Sequence, residues 1–207
     1  KLVPIGLAFD KNIDVKKINT QRIIEKYQIR GKNVVLYFGK MDIKRRLEFL
    51  LDVWREVCRQ IPNSILLMVG GSKRDINRLR RYAEALGLNK KVIFTGTVPR
   101  YQIPGFIKLS SMTVSPIPPI DIYKVSSVTK VFESLGCGCP IVGNDLPEQG
   151  EMIRESGGGI CVKYNREDFS KAICLLLNDD KLAKKMGING REYILNNKTY
   201  HHLADTI

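Results

Sequence analysis

Hydroxyl, cationic and carboxylate side chains cluster in the stretch KVSSVTKVFESLGCGCPIVGNDLPEQGE, residues 124–151. The first turns of a predicted helix hold Ser126, Ser127, Thr129 and Lys130. A helix start presents unpaired N–H groups and a partial positive charge, so it receives phosphate, and the hydroxyls and the lysine add further donors. Glu133 lies three residues past Lys130 on the same face, where a carboxylate accepts hydrogen bonds from vicinal hydroxyls such as those of a ribose. Phosphate and ribose together favour a nucleotide ligand.

Two more cations, Lys40 and Arg45, follow a predicted strand that ends at Gly39 and Lys40. They offer positive charge on the other side of the same pocket, and Gly39 is expected to keep this loop close to the phosphates. An alternative interpretation needs no ligand. In it a serine merely caps the helix, Lys130 and Glu133 form a solvated pair, and the two loop cations are surface charges.

Apolar strands alternate with helices along the chain. Strands are predicted at Asn33–Lys40, Ser64–Gly71, Lys91–Gly96, Met112–Pro116, Pro140–Asn144 and Gly159–Val162. Helical spacing is clearest in Leu47, Leu50, Leu51, Trp54 and Val57, and again in Ile76, Leu79, Ala83 and Leu86. This order predicts an α/β fold, a Rossmann-like doubly wound parallel sheet of about six strands with helices on both faces. Ligands bind such sheets beyond the carboxyl ends of the strands, where the connecting loops gather, including the loop with Lys40 and Arg45.

The chain is strongly basic, with 34 lysine and arginine residues against 21 aspartate and glutamate residues and a net charge of +13. An anionic partner is therefore expected, and nucleic acid, acidic lipid headgroups and phosphorylated small molecules all fit. No apolar run approaches the roughly 20 residues that span a bilayer, and no secretory leader is recognisable. The five cysteines include no CxxC pair, so buried free thiols in a reducing cytosol are expected and a metal site is not.

Several segments in this order resemble the C-terminal, nucleotide-sugar-binding half of family 4 glycosyltransferases, which have the two-domain GT-B architecture. They are YFGKMDIKRRLEFLLDVW, LLMVGG, VIFTGTVP, SPIPP and VSSVTKVFESLGCGCPIVGNDLPEQGEMIRESGGGICV. The likeness is to the subgroup with a Ser-Pro-Thr-Lys helix start, and it runs from about Asn33 to the end. It implies a UDP- or GDP-sugar donor, no cofactor, no required metal and retention of anomeric configuration. It also implies an N-terminal acceptor domain outside this chain, so we expect this chain alone to bind donor without turnover.

The resemblance assigns roles to individual residues. Lys40 and Arg45 match the basic pair that stabilises the leaving diphosphate, and Glu133 matches the glutamate that holds the ribose. The family's first paired glutamate falls on Val125, and Val128 replaces the proline of the subgroup.

Three weaker matches complete the predicted site. Gly70 is expected to let the backbone approach the ligand, and the backbone of Val98 lies where the family reads the base. Glu148 matches a position near the donor sugar, or else complements the dipole of a helix start.

We divide the chain into an interdomain linker with a leading helix (1–32), the nucleotide-sugar-binding domain (33–178) and a C-terminal helical segment (179–207). The polar face of the helix from Lys73 carries Arg74, Arg78 and Arg81, which are either solvated or in contact with anionic lipid. We expect a cytoplasmic protein, peripheral on the inner face of a membrane, acting on a lipid-linked acceptor in cell-surface polysaccharide or glycolipid synthesis.

Two other functional classes stay open. One is a non-catalytic nucleotide-binding module, supported by Val125, and the other is a basic scaffold docking at a membrane or a protein partner, supported by the net charge. Nucleic acid is not an expected partner, because the chain lacks interleaved exposed aromatics and any recognition motif.

Overall fold

The chain folds around one parallel six-stranded sheet. The structure, a computed structural model, describes residues 18–124 and 129–197. The strands are β1 (Asn33–Phe38), β2 (Ser64–Val69), β3 (Val92–Gly96), β4 (Met112–Ser115), β5 (Ile141–Asn144) and β6 (Gly159–Val162). Their order across the sheet is β3-β2-β1-β4-β5-β6, and every neighbouring pair is parallel. The predicted Rossmann-like α/β class is confirmed, as are all six predicted strands.

Helices connect the strands and cover both faces. Those in the described ranges are α1 (Gln21–Tyr27), α2 (Glu48–Gln60), α3 (Lys73–Ala85), α4 (Ile103–Lys108), α5 (Asp121–Lys124), α6 (Thr129–Gly136), α7 (Pro147–Ser156), α8 (Arg166–Asn178) and α9 (Asp180–Asn197). Short 3₁₀ turns at Ile43–Arg45 and Arg100–Gln102 precede α2 and α4. None of the described helices is long and apolar enough to cross a membrane. The proposed division of the chain at residues 32 and 178 stays a prediction.

Strand β1 explains the continuous apolar runs of the sequence, because both of its faces are buried. Val35 and Tyr37 pack with α2, α3 and α8, whereas Val34, Leu36 and Phe38 pack with α1 and α4. A sheet covered on both sides needs no polar alternation along its central strands.

Helix α2 begins at Glu48, directly after Leu47, the first residue of the predicted stripe. Arg46 has φ 46°, a left-handed conformation, so the chain turns there before the helix starts at Glu48. The predicted stripe from Leu47 to Val57 is fully buried, and the Trp54 indole N–H donates to the Lys91 carbonyl at 2.8 Å.

Helix α3 carries its predicted apolar stripe but not all of its predicted polar face. Ser72 caps it by accepting the Asp75 N–H, and both Arg74 and Arg81 are exposed. The prediction for Arg78 was wrong, because its side chain is only 25% exposed and extends to α2. The two helices lie side by side on the sheet, which brings α2 within reach of a long side chain on α3.

Candidate functional site

A cleft opens where the strand order changes direction. From β1 the chain continues to β2 and β3 on one side of the sheet, and then returns to β4 on the other side. The loops after β1 and β4 therefore diverge and leave a crevice at the carboxyl ends of the strands. Two cavities of about 570 and 280 Å³ lie there, and both are lined by Phe38, Gly39, Lys40 and Glu133. We call the two adjoining cavities the cleft.

Most of the predicted site residues line the cleft. They are Gly39, Lys40, Arg45, Gly70, Val98, Thr129, Lys130 and Glu133. Ser126 and Ser127 lie outside the described residues. Glu148 is in the first turn of α7 and is not among the described residues that line the cleft.

Lys130 is the most deeply set cation of the cleft. Its Nζ lies 5.1 Å from the centroid of the Tyr37 ring. Burial and, second, the charge of Arg45 lower the pKa of Lys130 from 10.5 to about 8, although Glu133 and Asp42 oppose the shift. A poorly hydrated ammonium beside a second cation is stabilised by an incoming anion, so this end of the cleft suits phosphate.

Arg45 is held against the loop that follows β4. Its guanidinium carbon lies 4.5 Å from the centroid of the Tyr123 ring, a cation–π contact. Tyr123 is itself buried with Ile117 and Leu146. The contact therefore joins the loop after β1 to the loop after β4 across the cleft.

Gly39 leaves space for Lys130. A Cβ on Gly39 would lie 2.8 Å from Lys130 Cε, and the residue has φ +126°, which side chains rarely adopt. Strand β1 also holds the next residue of this loop, because the Tyr37 hydroxyl donates to the Lys40 carbonyl at 2.6 Å. Burial raises the pKa of Tyr37, which keeps that hydroxyl protonated as a donor.

Gly70 lets two loops touch through their backbones. A Cβ at this position would lie 2.4 Å from the Gly39 carbonyl oxygen, and φ is +112°. The Gly39 N–H donates to Val69 O, and the Gly70 N–H donates to Gly96 O, each at 2.9 Å. The described contacts thus give Gly70 a role in loop packing, while its expected approach to a ligand stays a prediction.

Glu133 supplies the carboxylate of the cleft. Burial raises its pKa, and Arg100 and then Lys130 oppose that shift. Arg100 Nη2 lies 3.4 Å from Glu133 Oε1, but the Arg100 side chain is 84% exposed. Such an exposed pair is weak, so the carboxylate can exchange Arg100 for ligand hydroxyls at little cost.

Comparison with known proteins shows which family the chain belongs to. The family model described as glycosyl transferases group 1 matches residues 19–193. The chain belongs to the group 1 glycosyl transferases.

One relative of this group 1 chain is a GDP-mannose-dependent alpha-(1-6)-phosphatidylinositol monomannoside mannosyltransferase of Mycolicibacterium smegmatis. The two are 25% identical over 181 residues, which cover 85% of this chain and 47% of the relative. WaaG, a glycosyltransferase involved in lipopolysaccharide biosynthesis, has a similar fold, with a TM-score of 0.81, 17% identity, and coverage of 100% of this chain and 55% of WaaG.

Anabaena HepE in complex with UDP and glucose is also similar, with a TM-score of 0.77, 14% identity, and coverage of 90% of this chain and 50% of HepE. The chain thus spans about half the length of each of these three proteins. The predicted family is confirmed, and the sheet matches GT-B glycosyltransferase neighbours.

Asn144 is a buried contributor that the sequence interpretation missed. Its Oδ1 accepts the Ile117 N–H at 2.8 Å, and its Nδ2 donates to the Ile117 carbonyl at 2.9 Å. Ile117 lines the cleft beside Arg45 and Lys130. The amide therefore fixes one wall of the cleft, and no motif in the sequence around Asn144 indicates this role.

Arg100 and Tyr123 were also missed. The position of Arg100 just after β3 could have drawn attention to it, because loops at strand ends form the site. The cation–π contact of Tyr123 depends on a residue far away in the chain, so no local signal pointed to it. Within the described ranges no group of three or more His, Cys, Asp or Glu side chains could hold a metal ion.

Proposed function

We propose that this chain is the donor-binding half of a glycosyltransferase that moves a glycosyl unit from a UDP- or GDP-sugar to an acceptor. One observation carries the proposal. Lys40, Arg45, Lys130 and Glu133 line a single cavity of about 280 Å³ at the strand ends where the sheet order changes direction. This set combines the charges that a diphosphate needs with the acceptor that a ribose needs.

The three cations would hold the donor diphosphate. Negative charge develops on that diphosphate as its bond to the sugar breaks, and preorganised cations stabilise the charge without reorganisation. Ser126, Ser127 and Thr129 would add hydroxyl donors to the same phosphates. Retention and independence of metal are part of this proposal, and the cluster of cations supports the second of them.

The remaining parts of the donor would extend along the cleft. Glu133 would accept hydrogen bonds from the ribose hydroxyls, and the Val98 backbone would meet the base. Gly70 would allow that part of the ligand to lie close to the loop. Glu148 would lie toward the sugar, from the first turn of α7.

The acceptor side of the reaction would belong to an N-terminal domain. The names of the mycobacterial relative and of the WaaG structure refer to phosphatidylinositol mannoside and lipopolysaccharide, which supports a lipid-linked acceptor. Exposed Lys73, Arg74 and Arg81 on α3 support contact of a cytoplasmic protein with anionic lipid on the inner face of a membrane.

A thermal titration of the 207-residue chain with UDP and GDP tests the proposal. Without magnesium, nucleotide at a hundred times its dissociation constant should add about 2.7 kcal/mol. For a domain of this size that corresponds to a rise of about 5–11 °C in the melting temperature. No shift at millimolar nucleotide would favour the basic scaffold, and a shift only with magnesium would refute metal-independent binding. A non-catalytic module would bind nucleotide but leave UDP- and GDP-sugars intact in the full-length protein.

A further inference from the structure

Arg78 of α3 reaches the loop that carries two of the cleft cations. Its Nη2 donates to the Met41 carbonyl at 3.0 Å, and its Nη1 forms an ion pair with Glu48, the first residue of α2. Burial lowers the pKa of Arg78, and the nearby Asp42 carboxylate opposes this shift. The guanidinium thus faces a backbone carbonyl and two carboxylates, all of them between β1 and the start of α2.

The point of contact lies between the residues that the cleft uses. Met41 directly follows Lys40, and the 3₁₀ turn that ends at Arg45 starts two residues further on, at Ile43. The Lys40 carbonyl is already held by the Tyr37 hydroxyl. Two successive carbonyls of the loop are therefore fixed by side chains, one from the strand below and one from the neighbouring helix.

One residue of this loop has an unfavourable backbone conformation. Arg46 closes the 3₁₀ turn with φ 46°, a conformation that favours glycine. The Arg46 N–H donates to Ile43 O and the Arg45 N–H donates to Asp42 O, which are the two backbone hydrogen bonds of the turn. A contact from outside the turn, such as that of Arg78 with the Met41 carbonyl, can therefore help to hold it in place.

We propose that Arg78 is a positioning residue for Lys40 and Arg45, an inference that rests on the proposed diphosphate-binding role of the cleft. Arg78 is not among the described residues that line the cleft. It acts through the Met41 carbonyl and Glu48, and a planar guanidinium suits this task because its separate N–H donors reach both groups at once. A lysine reaches only one of them at a time.

The test compares Arg78→Met and Arg78→Lys with Arg80→Met in the 207-residue chain. Arg80 is exposed on the same helix, so its replacement removes the same charge without touching the loop. Binding of UDP, GDP and the nucleosides uridine and guanosine is measured by calorimetry. Amide hydrogen exchange of Arg45 and Arg46 is measured without ligand. Arg78→Lys carries the test if the methionine variant does not fold.

We expect Arg78→Met to weaken UDP or GDP at least tenfold, to leave nucleoside binding within twofold, and to speed exchange of the two loop amides at least tenfold. Arg78→Lys should give an intermediate loss, and Arg80→Met should change nothing beyond twofold. Equal losses for nucleoside and diphosphate, or equal behaviour of Arg78→Met and Arg80→Met, would overturn the inference.

The failure of the proposed function has a different signature. In that case the parent chain binds neither UDP nor GDP. The exchange measurement still decides the structural step, because faster exchange in Arg78→Met supports the positioning of the loop and unchanged exchange overturns it.

Discussion

The affinity of the cleft for a nucleoside diphosphate should fall as the pH rises above about 8, because Lys130 loses its proton there. The pKa of Lys130 in the ligand-free fold is lowered to about 8 from 10.5, chiefly by burial and then by Arg45. A bound diphosphate stabilises the ammonium and raises this pKa again. Binding above pH 8 must therefore take up a proton, and each further rise in pH makes that uptake more costly.

The expected magnitude follows from one titrating group. With a pKa of about 8, Lys130 is about 90% protonated at pH 7 and about 10% protonated at pH 9, so the affinity should fall about tenfold, or about 1.4 kcal/mol. The second phosphate ionisation lies near pH 6, so the phosphates contribute little over this interval. The same shift makes the protonated lysine destabilising in the ligand-free fold. Its contribution to the free energy of unfolding should therefore rise between about pH 8 and 10.5.

Calorimetry of UDP and GDP between pH 7 and 9, in two buffers of different ionisation enthalpy, measures both the affinity and the proton uptake. Lys130→Arg keeps a charge throughout this range, and Lys130→Met has none, so both variants should show a nearly flat profile. The reasoning fails if the parent affinity changes less than twofold, or if the arginine variant keeps the slope of the parent.

Three other perturbations have defined outcomes. In denaturant titrations, Gly70→Ala should lower the free energy of unfolding by at least about 2 kcal/mol, because its Cβ would meet a backbone oxygen. The control Gly87→Ala has the same left-handed backbone but open space around it, and it should lower the free energy of unfolding by only about 1–2 kcal/mol. Glu133→Ala should weaken UDP or GDP by about 1.5–3 kcal/mol, and the loss should vanish for the 2′,3′-dideoxy nucleotide, or else the carboxylate does not hold the ribose. Replacing Arg74 and Arg81 by glutamate should weaken binding to anionic vesicles, measured by sedimentation, by at least about 1 kcal/mol per residue, and nucleotide affinity should not change. If vesicle binding persists, this face of α3 is not the membrane-binding surface.

The sheet could be predicted because each strand and helix is marked by a pattern of neighbouring residues in the sequence. Each strand is a short apolar run, the four central strands are buried on both faces, and the stripe from Leu47 to Val57 fixes which side of α2 meets the sheet. The cleft could also be predicted, since the loops at the strand ends of a doubly wound sheet must gather at one edge. Lys40 and Lys130 therefore line the same cavity although they are far apart in the chain.

Contacts between side chains of different elements could not be predicted in this way. The interpretation of Arg78 relied on its position opposite the apolar stripe, which says nothing about the neighbouring helix that a long side chain can reach. Arg45 was found as a charge, but the Tyr123 ring beneath it belongs to a four-residue helix that is too short to show a period. The left-handed conformation of Arg46 likewise contradicts its local propensity, and α2 starts only after it, at Glu48.

The two hydrogen bonds of Asn144 with Ile117 have a practical consequence for engineering the cleft. The Asn144 side-chain amide bonds both the N–H and the carbonyl of Ile117, as the backbone of a neighbouring strand would do. The loop after β4 is therefore fixed at Ile117. Aspartate can only accept and leucine does neither, so few replacements preserve both hydrogen bonds. Libraries intended to reshape the cleft should therefore keep Asn144 and vary the loop beyond Ile117, where changes can alter the cleft wall without losing its anchor.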